Sequence, residues 1–241
     1  VTVFSVKNLR MFVSIVFVVQ FELNQYGISQ PVATVNSRLY SYLPTIVSTE
    51  LPFSVNGEFL LNQDRSVLLE NEWNDFLIEE IARLQYVVLS YLAATPEHHP
   101  ALLNLIPIRN MESDHLTYFK SAYASGCQKG LIEERFIPSA DGELLLLSEC
   151  VFDQYRFFCP DNGGFSKNCN AEDLFPELFV PRNKVMSHQL GSDEQLISKL
   201  DLLPSQLFSA ARFVNHLPGY IEHIYKDLSK LKRLWGYLMS I

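Results

Sequence analysis

Arg65 is the side chain of this sequence that is best placed to act on a ligand. It follows a polar turn, residues 62–64, at the end of a segment in which apolar and polar residues alternate from 53 to 61. Alternation with a period of two is typical of a half-buried strand. A strand end is a rigid support for a long planar cation with five N–H donors. The pattern therefore indicates a fixed positive charge that suits an anionic group.

A long amphipathic helix follows this turn. From Trp73 onwards, apolar residues recur at spacings of three and four, which places them on one helical face. The members of this face are Trp73, Phe76, Leu77, Ile81, Leu84, Val88 and Leu92. Asp75, Glu79 and Arg83 lie on the opposite face, and the spacing of Glu79 and Arg83 predicts a helical ion pair. The unit is therefore a strand, an arginine turn and a helix.

Three strands are predicted before this helix. The apolar run 11–21 is too short to span a membrane, which takes about 20 apolar residues, and alternation favours a β-strand buried on both faces near Val16. A turn at 24–27 leads to a second strand over 38–43, which Pro44 closes. The alternating segment 53–61 is the third strand.

The residues around Arg65 resemble a known family. The matching residues are Tyr40, Leu43, Pro44, Leu51, Pro52, Phe53, Asn56, Gly57, Glu58, Phe59, Leu61, Arg65, Trp73 and Asn74. Their pattern resembles the segment that follows the ATP-binding domain in sacsin-like and NO VEIN-like proteins. Those proteins are relatives of the ninety-kilodalton heat-shock chaperones, within the GHKL ATPase group. The resemblance covers residues 35–95 well and the rest of the chain loosely.

This resemblance implies a role for the arginine turn. Residues 61–65, Leu-Asn-Gln-Asp-Arg, are similar to the Leu-Asn-x-x-Arg of the chaperone middle domain. In that domain the arginine reaches the γ-phosphate held by the preceding domain. The resemblance thus implies that Arg65 is an arginine finger and that Asn62 positions the loop or donates to phosphate. The sequence departs from the chaperone pattern at Ser66, where the chaperones carry glutamate.

The motifs that bind ATP in GHKL enzymes are missing from this sequence. They are a helix asparagine for magnesium, an Asp-x-Gly-x-Gly segment and a glycine-rich lid, and no Walker sequence replaces them. We therefore expect no cofactor to be bound by this chain alone, with ATP and magnesium held in a preceding N-terminal domain. The chain begins with Val1, which favours a piece of a longer polypeptide or a processed product. The expected partners are that ATPase domain and protein clients, and a homo-oligomer is possible in principle.

Charge and cysteine usage exclude several other classes. The net charge is −8 and the acidic residues are spread along the chain, so we expect neither nucleic acid nor a membrane as a partner. The four cysteines form no C-x-x-C pair, which favours reduced thiols over a disulfide or a metal site. They are Cys127, Cys150, Cys159 and Cys169. The absence of Asn-x-Ser/Thr agrees with a cytoplasmic location.

The division into domains rests on residues 95–100, where two prolines within five residues end the helix. Residues 1–95 are predicted as a chaperone-middle-domain-like α/β unit and 96–241 as a mainly helical extension. The extension includes a hairpin near 134–147, a loop over 159–170, and helices over 191–199, 204–217 and 219–239. The predicted fold class is α/β of the α+β kind, a small sheet packed by a long amphipathic helix and followed by this mixed part.

Three functions remain open at this point. The first is the middle, transducer-like segment of a sacsin-like ATPase, with Arg65 acting on ATP in a preceding domain. The second is a non-catalytic scaffold or protein-interaction module, in which Arg65 pairs with Asp64 or Glu70 and Asn62 is an ordinary turn residue. The third is an independent hydrolase that uses cysteine and histidine. An exposed Arg65 would favour the first function, and an Arg65 buried in an ion pair would favour the second.

Overall fold

The computed structural model describes residues 2–8, 13–107, 114–153, 182–190, 193–203, 206–208 and 210–238. The chain forms two compact units, Val1–Phe136 with Gln189–Leu200, and Ile137–His188 with Asp201–Ile241. The predicted mixed α/β class, with a sheet and a long helix, is confirmed. The predicted domains 1–95 and 96–241 divide the chain at a different place from these units, and they stay a prediction.

A six-stranded sheet forms the base of the first unit. Its strands are β1 (Thr2–Asn8), β2 (Val13–Leu23), β3 (Ser29–Val32), β4 (Arg38–Ser41), β5 (Leu43–Ser48) and β6 (Ser54–Asn56). The order is β1-β2-β6-β4-β5, and β3 pairs with the end of β2. β4 and β6 are parallel, and the other pairs are antiparallel. β5 is therefore an edge strand.

The predicted strand around Val16 is confirmed as β2. Its inward-facing residues Ile15, Phe17 and Val19 are buried, and Phe17 packs edge-on against Phe53 at 5.2 Å between ring centroids. Val16 is only half-buried, so the expected burial on both faces is wrong. Because its apolar residues are consecutive, the sequence of β2 alone does not tell which face the rest of the chain covers.

The predicted strand over 38–43 is two strands. Tyr42, between β4 and β5, has φ 60°, a left-handed conformation that turns the chain back on itself. Pro44 does not close the strand but belongs to β5. An edge strand tolerates proline because one side of its backbone needs no donor. With β1 and β3 also present, six strands precede the helix rather than three.

β6 ends at Asn56, and the prediction that this strand continues to Leu61 is wrong. The N–H and the carbonyl of Leu60 bond to the side chain of Asn74 at 3.0 and 2.7 Å. This side chain takes the place of a neighbouring strand. Apolar alternation therefore continues beyond the last strand pair of β6.

The long helix α1 (Glu72–Ala93) is confirmed. Asn71 caps it, because its side-chain oxygen accepts from the N–H of Asn74 at 2.9 Å. Its buried residues are Asn74, Leu77, Ile78, Ile81, Ala82, Leu84, Gln85, Tyr86, Val88, Leu89, Leu92 and Ala93. These cover two faces rather than the single predicted stripe, and Trp73 and Phe76 are only half-buried.

The second buried face of α1 packs on α3. After α2 (His99–Leu105) and a 3-10 turn, Asp114–Phe119, α3 spans Lys120–Glu133. α3 runs through Gly126 and Gly130, although glycine is a poor helix former. A Cβ at Gly126 would lie 2.1 Å from the carbonyl oxygen of Glu79, and one at Gly130 would lie 2.3 Å from the ring of Tyr86. The glycines therefore allow the two helix backbones to approach closely.

The expected ion pair of Glu79 with Arg83 does not form. Glu79 accepts instead from Lys129 and from Ser125 of α3, and Arg83 bonds Glu80 at 3.0 Å. The partners of Glu79 lie across the helix interface, because α3 covers this side of α1, whereas Arg83 pairs along α1 with Glu80.

The free energy of unfolding should depend less on pH in Glu79→Gln than in wild type. The hydrogen bonds from Lys129, and then from Ser125, lower the pKa of Glu79. A carboxyl group with a lowered folded-state pKa stabilises the fold above its unfolded pKa, and this contribution is lost as pH falls through the folded value. Urea unfolding between about pH 6 and about pH 3 should show wild type losing up to about 1 kcal/mol more than Glu79→Gln. The exposed Glu97→Gln is the control, and identical profiles for wild type and Glu79→Gln would contradict this assignment.

The remaining helix of the first unit is α4 (Asp193–Leu200). Lys199 near its end donates to the carbonyl of Leu103 at 2.7 Å, and burial lowers the pKa of this ammonium group. The predicted helix 191–199 is thus confirmed within the described residues.

The second unit contains the predicted hairpin, β7 (Ile137–Pro138) with β8 (Leu144–Leu145), which is confirmed. Gly142 in its turn has φ 87°, which glycine adopts without strain. β9 (Phe152–Asp153) pairs in parallel with β10 (Leu207–Phe208), and helices α5 (Ala210–Ile224) and α6 (Leu228–Leu238) follow. α5 continues through Pro218, so the predicted break between helices at that proline is wrong. The predicted loop 159–170 lies outside the described residues.

None of the helices in the part of the chain described above is long and apolar enough to cross a membrane.

Candidate functional site

The turn that carries Arg65 is a closed loop, which we call the arginine loop, residues 61–68. An antiparallel bridge joins Leu61 to Leu68 and closes it. The N–H of Asn62 donates to the carbonyl of Val67 at 3.1 Å, and the N–H of Arg65 donates to the carbonyl of Asn62 at 3.1 Å. The loop is therefore fixed by its own backbone before any side chain contributes.

Asn62 organises this loop through its side chain. Its Oδ1 accepts from the N–H of Ser66 at 2.9 Å and from that of Val67 at 3.1 Å, while its Nδ2 donates to Ser66 Oγ at 2.9 Å. Both ends of the amide are used inside the loop. Of the two roles predicted for Asn62, this geometry fits positioning of the loop, and donation to phosphate stays a prediction.

Ser66, where the sequence departs from the chaperone pattern, completes the arrangement. Its hydroxyl donates to Asp64 at 2.6 Å, and this hydrogen bond is the main cause of the lowered pKa of Asp64. Ser66 therefore links Asn62 and Asp64 across the tip of the loop. The carboxylate of Asp64 is held by serine rather than by the neighbouring arginine.

Arg65 adopts a left-handed conformation with φ 60°. Such a conformation costs a non-glycine residue about 1–2 kcal/mol, so contacts elsewhere must hold it. Its Nη2 donates to the carbonyls of Ser41 at 2.6 Å and Leu43 at 3.2 Å. The guanidinium is thereby tied to the turn between β4 and β5.

The guanidinium of Arg65 is half-buried, and its Nε is buried without a hydrogen-bond partner. Among the residues that the structure describes, no carboxylate forms an ion pair with it, and neither Asp64 nor Glu70 takes that role. Neither expected extreme is thus observed, since Arg65 is neither fully exposed nor buried in an ion pair. Main-chain carbonyls orient the cation, and no carboxylate of the described residues neutralises its charge.

Asn74, at the start of α1, supports the loop from below. Its side chain is fully buried, with Nδ2 donating to the carbonyls of Leu60 at 2.7 Å and Leu69 at 2.8 Å, and with Oδ1 accepting from the N–H of Leu60 at 3.0 Å. One amide thus replaces three backbone hydrogen bonds on both sides of the arginine loop. Asn74 is one of the motif residues, but the motif did not predict this role. A second asparagine three residues after the helix cap was the available signal.

Glu58 connects the loop region to the β4–β5 turn. Its carbonyl accepts from Trp73 Nε1 at 2.8 Å, and its carboxylate accepts from the hydroxyl of Tyr42 at 3.0 Å. This second bond raises the pKa of Tyr42. The Oδ1 of Asn56 accepts from the N–H of Tyr42 at 3.0 Å. Several of the residues that carry the family resemblance are therefore joined in one hydrogen-bond network around Arg65.

The cysteines offer no comparable site within the described residues. Cys127 and Cys150 are buried and form no disulfide. Burial raises the pKa of the Cys150 thiol to about 12, and its Sγ donates to the carbonyl of Leu147 at 3.0 Å. A nucleophilic cysteine needs the opposite shift. Cys159 and Cys169 lie outside the described residues, and no group of three metal-binding side chains was found among those described.

Comparisons of the chain with protein-family models, with curated proteins and with solved structures found no match.

Proposed function

We propose that this chain is the middle, transducer-like segment of a sacsin-like or NO VEIN-like ATPase of the GHKL group. In this proposal a preceding N-terminal domain binds ATP and magnesium, and this chain contributes Arg65 to the nucleotide phosphates. The chain alone binds no cofactor and acts with its ATPase domain and with client proteins in the cytoplasm. The position of the motif residues in one network around Arg65 supports the proposal, because they serve a common structural purpose.

The observation that carries the proposal is the state of the Arg65 guanidinium. Both hydrogens of Nη2 are directed at the carbonyls of Ser41 and Leu43. The other three donors, on Nε and Nη1, have no bond to the described residues. A purely structural surface arginine would gain more from a carboxylate partner. A cation oriented by dipoles and left without a counterion suits an incoming anion.

The chemistry follows from a fixed charge. Arg65 would stabilise the negative charge that spreads over the phosphoryl oxygens in the transition state. Asn62 holds the loop, and Asn74 fixes the loop to α1, so the cation needs little reorganisation when a phosphate arrives. Closure of the ATPase domain onto Arg65 would then change the positions of the β4–β5 turn and of α1, because both are bonded to the guanidinium or to the residues that flank the arginine loop.

The test is ATP turnover by the full-length natural polypeptide, with wild type compared to Arg65→Ala and Arg65→Asn. Asparagine tolerates the left-handed conformation better than alanine, so it removes the charge while keeping the loop. We expect turnover to fall by about a thousandfold in both variants at unchanged ATP affinity. Arg38→Ala is the matched control, because Arg38 is an exposed arginine at the far end of β4, and it should turn over ATP like wild type.

Equal turnover in wild type and both Arg65 variants, or no turnover in any of them, would contradict the assignment of Arg65 as an arginine finger. The second function would then remain, a scaffold or protein-interaction module with the same fold. One observation favours that module independently. Tyr42 and Leu43, beside the guanidinium, expose 78% and 61% of their surfaces, which is unusual for neighbouring large apolar residues.

A further inference from the structure

Strand β5 is an exposed sheet edge with little of the usual protection. It pairs with β4 on one side, and no described strand pairs with its other side. Its sequence, Leu-Pro-Thr-Ile-Val-Ser, has no charge and has a high preference for extended structure. Natural edge strands usually carry lysine, a bulge or a covering element, because a bare edge pairs with other chains. Among the described residues, β5 has two such features, Pro44 near its start and a register shift against β4.

The pairing of β5 with β4 is irregular, because its register shifts between Arg38 and Tyr40. In this stretch Thr45 Oγ1 donates to the carbonyl of Leu39 at 2.7 Å and accepts from the N–H of Val47 at 3.1 Å. The side chain of Ile46 is 62% exposed and that of Leu43 is 61% exposed. Apolar contacts are therefore available to a further strand.

An arginine lies near each end of this edge. Arg65 donates to the carbonyl of Leu43, the first residue of β5, and Arg38 lies opposite Ser48, the last residue. Neither arginine has a carboxylate partner in the described ranges. In a chain with net charge −8, two cations without counterions at the ends of an uncharged strand are a specific feature. Extended residues rise about 3.3 Å each, so the five steps from Leu43 to Ser48 span about 17 Å.

Two acids lie near this edge, and both have partners of their own. Glu58 accepts from the hydroxyl of Tyr42, and Glu50, beyond the end of the strand, also has an interaction elsewhere.

We propose that β5 binds an extended peptide segment of a partner protein as an additional strand, one with apolar residues in its centre and a carboxylate at each end. The backbone of the segment bonds to the open side of β5, its apolar side chains cover Leu43 and Ile46, and its acids reach Arg38 and Arg65. This mode of recognition gives affinity through main-chain hydrogen bonds and specificity through the flanking groups. The inference does not depend on contact of Arg65 with a nucleotide.

The experiment uses the full 241-residue chain and a fluorescent, end-capped peptide, Glu-Val-Thr-Val-Thr-Val-Glu, measured by fluorescence polarisation. A matched peptide carries lysine in place of both glutamates. We expect saturable binding of the acidic peptide, binding of the lysine peptide at least about tenfold weaker, and slower hydrogen exchange at the amides of β5. Arg38→Gln and Arg65→Gln should each weaken binding several-fold and reduce its salt dependence.

Ile46→Lys is the decisive variant, because a charge on the edge is the common natural protection against strand addition. It should weaken peptide binding at least about tenfold. Ile132→Lys is the matched control, since Ile132 on α3 is 64% exposed, close to the 62% of Ile46, and should leave binding unchanged. Equal binding of both peptides, no binding of either, or full binding by Ile46→Lys would overturn the proposal. Self-association of the chain that Ile46→Lys abolishes would assign the edge to a second copy instead.

Discussion

Gly126→Leu should prevent stable folding of the first unit. A Cβ at this position would lie 2.1 Å from the carbonyl oxygen of Glu79 and 2.7 Å from the Cβ of Ala82. Neither neighbour can move by a side-chain rotation, because one is backbone and the other is the first atom of its side chain. We expect a loss of at least about 3 kcal/mol. Urea unfolding followed by circular dichroism measures this loss, and Gly126→Ala should show a large part of it.

The matched control is Gly219→Ala, which makes the same kind of change inside α5. A Cβ at Gly219 meets nothing within 4 Å, and its φ is not in the left-handed region. Alanine is a better helix former than glycine, so this variant should gain up to about 1 kcal/mol in the transition of the second unit. A neutral Gly126→Ala would contradict the close approach of α1 and α3.

Asn74→Leu should be the most damaging single change near the arginine loop. It leaves the N–H of Leu60 and the carbonyl of Leu69 without their partner, while the carbonyl of Leu60 keeps the hydrogen bond from the N–H of Leu69. Each buried polar group that loses its hydrogen bond costs about 1–3 kcal/mol, so we expect a total of about 2 kcal/mol or more. The loop should also loosen. Hydrogen exchange at the amide of Leu69, which donates to the carbonyl of Leu60 at 2.9 Å, should become faster.

Asn104→Ala provides the comparison for this variant. Asn104 is an exposed asparagine on α2 in the same unit, and its replacement should change stability by less than about 0.5 kcal/mol. If Asn74→Leu and Asn104→Ala unfolded at the same urea concentration, the anchoring role of Asn74 would be wrong.

The sequence was sufficient to predict α1 because its periodicity is long and its cap is local. Residues 72–93 repeat an apolar spacing over many turns, and Asn71 immediately precedes them. It was insufficient for α3. Gly126 and Gly130 are poor helix formers, so local preference places a helix end there, whereas packing against α1 requires their missing side chains. Tertiary contact overrides propensity at these two positions.

The candidate site, too, could be predicted from the sequence only in part. The turn around Arg65 could be predicted, because polar residues follow an apolar segment and the chain must reverse before α1. The groups that accept hydrogen bonds from Arg65 could not be predicted. Ser41 and Leu43 lie 24 and 22 residues before Arg65, and they contribute carbonyl oxygens that every residue possesses. The left-handed conformation of Tyr42 brings these carbonyls together. It could not be predicted either, because this conformation is usually expected at glycine.

The two carbonyls that hold Arg65 flank Tyr42 and include the first residue of β5, so one side chain is shared by the loop and the sheet edge. An anion that attracts Nη2 competes for the same two hydrogens as these carbonyls. Any ligand of the loop that withdraws the guanidinium therefore alters the geometry offered to a ligand of the edge. Thermodynamic reciprocity requires each to change the affinity of the other by the same factor. Under the two proposals, Arg65 therefore couples a phosphate ligand of the loop to a peptide ligand of the sheet edge.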